Sequence, residues 1–120
     1  MTIPSRRAAA RERGGDHVRR LARVVARRQG LDDRAALRLT GSVRDSAGLS
    51  TDERIANLDG RMRAGPPPGP ASAAVLLDDI VTTGATITEA HRAMTAAGWR
   101  VIGAATVAAT IRRWPQGPIL

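Results

Sequence analysis

Two adjacent carboxylates, Asp78 and Asp79, close an apolar run and are followed, after Ile80 and Val81, by Thr82, Thr83, Gly84 and Thr86, within the stretch VLLDDIVTTGATI (residues 75–87). Carboxylates at a strand end suit sugar hydroxyls or a metal ion, both of which seek strongly accepting oxygens. Threonine hydroxyls and the amides opening a helix suit the opposite partner, an anion. Gly84 lets the backbone approach a ligand closely, because no Cβ stands in the way. A turn with acceptors on one side and donors on the other describes a site for a phosphorylated ribose. The competing structural reading is that acids and threonines merely cap the next helix. That reading accounts for each residue singly but not for their order: apolar strand, acid pair, Thr-Thr-Gly-x-Thr, amphipathic helix. The stretch lacks the lysine and spacing of a Walker A loop and contains no G-x-G-x-x-G.

The elements that must position these residues follow from periodicity. Val75–Leu77 has strand character. GATITEAHRAMTAAG (84–98) has helical period, with Ile87, Ala90, Met94 and Ala97 on one face and Gly98 as the stop. WRVIGAATVAA (99–109) reads as a second strand whose alanines suit a buried setting. Strand, turn, helix, strand is a βαβ unit, so a parallel sheet follows, and the acids lie at its carboxyl end, where ligands bind. Upstream, GGDHVRRLARVVARRQG (14–30) predicts a helix capped by Asp16 and ended by Gly30, with Val18, Leu21, Ala22 and Val25 as its apolar face. The arginines at 19, 20, 23, 27 and 28 fall mostly off that face and read as a solvated surface in preference to a nucleic-acid stripe. AALRLT (35–40) predicts a short strand and GSVRDSAGLS (41–50) a polar loop. STDERIANLDGRM (50–62) predicts a short helix opened by a capping box of Ser50 and Glu53. The prolines of AGPPPGPASA (64–73) exclude regular structure there.

Composition narrows the chemistry. The chain has 120 residues and no cysteine, which excludes disulfides, thiolate zinc sites and cysteine nucleophiles. Its two histidines argue against an all-protein zinc site. His17 and His91 read as surface or capping residues, since a lone histidine lacks the geometry of an acid or base. Net charge is +8 and every Lys/Arg position is arginine, which points to anionic partners or to a compositional bias. Trp99 and Trp114 are the only aromatics, too few stacking platforms for a typical single-strand binder. Trp99 reads as packing at the helix-to-strand turn and Trp114 as an anchor for the tail. There is neither a secretory leader pattern nor an apolar run long enough to span a bilayer, so a cytoplasmic protein is expected.

VLLDDIVTTGATI resembles the phosphoribosyl-pyrophosphate (PRPP) motif of type I phosphoribosyltransferases over its whole length. PSRRAAARERGGDHVRRLA (4–22) resembles the Arg-x-Arg-Gly segment of ComF-like members, and VRDSAGLSTDERIANLDGRM (43–62) their downstream segment, with Leu49, Arg54, Asn57 and Leu58 on pattern. The resemblance implies an α/β fold, a Rossmann-like and mostly parallel sheet flanked by helices, over residues 1–110, with 111–120 as a disordered or loosely docked tail. It implies that Asp78 and Asp79 bind the ribose 2′- and 3′-hydroxyls and serve catalysis. Thr82, Thr83, Gly84, Ala85 and Thr86 would form the 5′-phosphate loop, and Arg6, Arg7, Arg11, Arg13 and Gly14 would face the pyrophosphate. The implied cofactor is Mg²⁺, held mainly by substrate oxygens with Asp78 and Asp79 as the protein groups within its reach. The implied reaction displaces pyrophosphate at ribose C1 through a cationic sugar. The alternative is a non-catalytic PRPP- or nucleotide-binding protein, or a competence (DNA uptake) accessory; a homodimer is compatible with either.

Several features depart from that family. Its cysteine-rich zinc segment and upstream hood have no counterpart here. The chain reads as N-terminally truncated, with MTIP standing for the end of the first strand. Ser46 replaces the usual Gln after Asp45, and Thr82 stands where some purine-specific relatives carry Asp, which disfavours purine salvage.

Overall fold

A computed structural model describes residues 1–4, 17–40, 50, 53, 56 and 59–110. Its elements are α1 (His17–Gln29), β1 (Leu37–Leu39), β2 (Met62–Ala64), β3 (Ala73–Val81), α2 (Ala85–Ala96) and β4 (Arg100–Ala109). Together they make a small α/β domain with a short parallel sheet and two helices.

β3 and β4 pair in parallel, joined through α2, as the βαβ pattern predicts. On the other edge of β3, Thr2 bridges Leu77 in parallel. Ile3 N–H donates to the Leu77 carbonyl at 2.9 Å, and Leu77 N–H donates to the Met1 carbonyl at 2.8 Å. Met1–Ile3 thus lie along the free edge of β3 as an isolated bridge. The parallel register slips once, between Ala74 and Val75, leaving Ile102 as an extra residue on β4.

The sheet is less uniformly parallel than expected. β1 and β2 form a separate antiparallel ribbon, with Leu37 opposite Ala64 and Leu39 opposite Met62. The sequence reading carried a helix through Met62. The capping box does form, with Ser50 N–H donating to Glu53 Oε2 at 2.7 Å and Glu53 N–H donating to Ser50 Oγ at 3.3 Å. Gly60, however, takes φ +67, and Met62 turns into the core as a strand residue. The reason is tertiary. Buried Glu89 on α2 accepts the Met62 N–H at 2.9 Å, an acceptor that no local pattern announces.

The core lies between α2 and the two sheets. Ala90, Ala93 and Met94 pack with Ala74 and Leu76 of β3, with Leu37 and Met62 of the ribbon, and with Ile3 and Trp99. Trp99 sits at the helix-to-strand turn as expected and also donates its Nε1–H to the Gly65 carbonyl at 2.8 Å, pinning the proline-rich connection. Gly30 and Gly98 end α1 and α2 with positive φ.

One burial expectation holds only for Ala22 and half-buried Val18, and another fails. On α1 the buried residues are Ala22 and Ala26, while Leu21 and Val25 are exposed. Small side chains let the helix approach β3 closely, so they set the contact face. On β4 the alanines are exposed, because among the described residues no layer covers that strand beyond the flank of α2. No helix among the described residues is long and apolar enough to cross a membrane.

Candidate functional site

The site is the junction from β3 to α2. β3 continues past Leu77 to Val81, because β4 keeps pace with it as far as Ala109 and Thr110 N–H caps the Val81 carbonyl at 3.0 Å. The acid pair therefore belongs to the strand and is followed in it by Ile80 and Val81. Thr82–Gly84 bend, and Gly84 opens α2 with φ +82, ψ −1. A Cβ added at Gly84 would meet nothing within 4 Å, so the space over this turn is open. Thr83 Oγ1 accepts the Ala85 N–H at 3.2 Å. The first intrahelical bond is Thr88 N–H to the Gly84 carbonyl at 2.9 Å, so the amides of Thr86 and Ile87 precede the helix ladder at its positive end. Thr82 is exposed, and Thr83, Gly84, Ala85 and Thr86 are half-buried, so the predicted phosphate loop is one continuous accessible turn.

The two acids differ more than their adjacency suggests. Burial alternates along β3, which sets Asp78 with Ala74 and Leu76 on the face under α2 and Asp79 with Leu77 on the other. Asp78 is only 7% exposed, and its register partner on β4 is Thr106. Its carboxyl is pushed up to about 6, chiefly by burial. The Asp79 N–H, donating to Asp78 Oδ1 at 2.9 Å, works against that rise, and the Asp79 charge adds to it. Asp79 is half-buried, and its Oδ1 accepts the Ile80 N–H at 2.7 Å. The strand thus offers one carboxylate that readily takes a proton and one that keeps contact with solvent.

Of the predicted pyrophosphate group, Arg6, Arg7, Arg11, Arg13 and Gly14 all lie outside the described residues, as do Leu49, Arg54, Asn57, Leu58 and the tail from 111. Among the described residues, no three His, Cys, Asp or Glu side chains converge as a metal site. His17 and His91 are both exposed.

Sequence reasoning missed Glu89, which is 5% exposed. Arg92 grips it with Nε to Oε2 and Nη2 to Oε1, both at 2.7 Å, and also donates from Nη2 to the Met62 carbonyl at 3.0 Å. The Arg92 hydrogen bonds hold the Glu89 carboxyl below its usual range, and the Met62 N–H helps. This clamp fixes β2 against α2, one turn beyond the candidate phosphate loop. The i,i+3 spacing of Glu89 and Arg92 was the available signal.

No protein-family model matches the chain, and no curated protein matches it significantly. The family reading therefore rests on the motif and on the junction it forms.

Proposed function

We propose that this chain is a phosphoribosyltransferase-type domain, its β3–α2–β4 unit part of a Rossmann-like sheet, that binds PRPP with Mg²⁺ and transfers phosphoribose to an acceptor with release of pyrophosphate. The observation that carries the reading is the β3–α2 junction. Thr82–Thr86 form an open turn at a helix N-terminus, and the adjacent acids Asp78 and Asp79 lie just before the last two residues of the strand that leads into it. The 5′-phosphate sits on the turn, where the Thr86 and Ile87 amides and the threonine hydroxyls donate to it. Asp79 accepts the ribose hydroxyls, and Asp78 beneath it contributes negative potential as positive charge develops at C1. Arg6, Arg7, Arg11 and Arg13 pair with the departing pyrophosphate. Asp79 is a hard oxygen donor of the kind magnesium takes, and the phosphates of PRPP supply further ligands, so the residues fit an ion that arrives with the substrate. When bound, magnesium neutralises charge on the leaving group.

Calorimetric titration with PRPP and Mg²⁺ tests this. The chain is expected to bind saturably, and Asp79→Ala is expected to abolish binding while circular dichroism stays unchanged. Absence of binding by the parent chain, or near-parental affinity in Asp79→Ala, overturns the assignment. Pyrophosphate release in the presence of candidate acceptors separates a transferase from a protein that only binds PRPP.

A further inference from the structure

β3 is enclosed. Met1–Ile3 and β4 cover its edges, and α1 and α2 pack against it. β4 is not. Along its outer edge no strand is described, and every residue from Ile102 to Ala105 and from Val107 to Ala109 is exposed, with Ile102 at 61% and Val107 at 66%. Between this strand and α2 runs an open groove of about 430 Å³, lined in part by Ile87, Thr88, His91, Ile102 and Ala104. Long apolar edges usually carry a charge or a proline that blocks further pairing. Val101–Thr110 carries neither, in a chain of net charge +8 with 19 arginines.

We propose that β4 pairs antiparallel with β4 of a second copy, about a two-fold axis at Ala105, joining two parallel sheets into one. This inference is independent of the PRPP reading. A strand paired with itself by a two-fold axis must run antiparallel, and the axis must stand perpendicular to the sheet at one residue, so that like faces meet. With the axis at Ala105, Val107 lies opposite Gly103 of the second copy and Thr106 opposite Ala104. Beyond the bulge at Ile102, the residues of the second copy that Val101 and Ile102 come up against are the small Ala108 and Ala109. Each bulky side chain faces a small one, so the strand complements itself in size. Arg100 meets Thr110, and the two Arg100 side chains lie at opposite ends of the ladder, roughly 34 Å apart at about 3.4 Å per residue. The charge that would repel a second copy is absent from this open edge. The perpendicular axis also puts both α2 helices on the groove face. A single strand pairing covers less than the roughly 800 Å² per partner of a standard interface, so the dimer is weak and concentration-dependent.

Sedimentation velocity on the full chain, from micromolar to submillimolar concentration, is expected to show a monomer–dimer equilibrium. Ala105→Glu sets like charges against each other on the axis and is expected to leave a folded monomer. The native chain has no cysteine, so cross-linking reads the register directly. Cα atoms of directly opposed antiparallel residues lie about 4.5–5.5 Å apart, within disulfide range. Under mild oxidation, Ala105→Cys is expected to form a covalent dimer at least tenfold faster than Thr95→Cys on the exposed side of α2. A chain that stays monomeric at every concentration, with equal cross-linking at both positions, overturns the proposal and leaves the edge to a different partner. A dimer that survives Ala105→Glu, or one that Ala105→Cys does not trap, overturns it as well by putting the interface elsewhere.

Discussion

β3 and β4 are neighbours in one parallel sheet, nine and ten residues long, and both are largely apolar. They end up in opposite circumstances. β3 alternates buried and accessible positions, and Leu76 is 1% exposed; β4 has no fully buried position. Their sequences differ mainly in side-chain size, and their positions differ in how many layers lie around them. Apolar composition gives a strand the capacity to be buried, but burial comes from what packs on it.

The largest test of this contrast compares truncations on the two strands. Leu76→Ala is expected to cost about 3 kcal/mol, because it opens a cavity against α2. Val107→Ala, two-thirds exposed in the monomer, is expected to change stability by less than about 0.5 kcal/mol. Urea unfolding at low protein concentration measures both, and equal losses would erase the distinction.

A smaller effect comes from the one charged residue on the buried face of β3. The Asp78 carboxyl, at about 6, lies above its ordinary range, so the folded chain holds a proton that the unfolded chain has lost. Native stability is therefore expected to fall as pH rises from about 4 through about 6, then to level off. Asp78→Asn keeps an acceptor for the Asp79 N–H and removes the buried charge. It is expected to flatten that window and to gain roughly 2 kcal/mol at pH 8, seen as a higher Tm. Under the functional proposal the same variant binds PRPP less well, so stability and binding move in opposite directions.

The smallest effect lies where β3 hands over to α2. Gly84→Ala is expected to cost about 1 kcal/mol from the left-handed backbone alone, since an added Cβ meets no neighbour. A much larger loss in thermal unfolding would mean that the turn is packed more closely than its geometry indicates.

Much of this was legible in the residues. Gly84 and Gly98 bracket α2 as their backbone freedom requires, and the parallel pairing of β3 and β4 follows from strand, helix, strand order. The capping box at Ser50 and Glu53 forms as its spacing dictates. The predicted phosphate loop, Thr82–Thr86, is one accessible turn for the same local reasons. Other features were not legible. β2 is three residues long, too short for a period, and it exists because β1 and Glu89 supply its hydrogen-bond partners. The face of α1 was read only in part: Ala22 is buried as expected, but Leu21 and Val25 are exposed and Ala26 is buried in their stead, because close approach to β3 selects small side chains. The difference between Asp78 and Asp79 was hidden by their adjacency, since a strand extended to Val81 gives consecutive residues different surroundings.

By itself, the sequence determined the helix-bounding glycines, the capping box, the βαβ order and the chemical character of the turn after the acid pair, because these depend on backbone freedom and side-chain type within a few residues. Only the tertiary structure decided which alanines are buried, which carboxyl takes up a proton near pH 6, and which strand is left with an open edge, because each depends on the number and identity of layers brought together from distant parts of the chain.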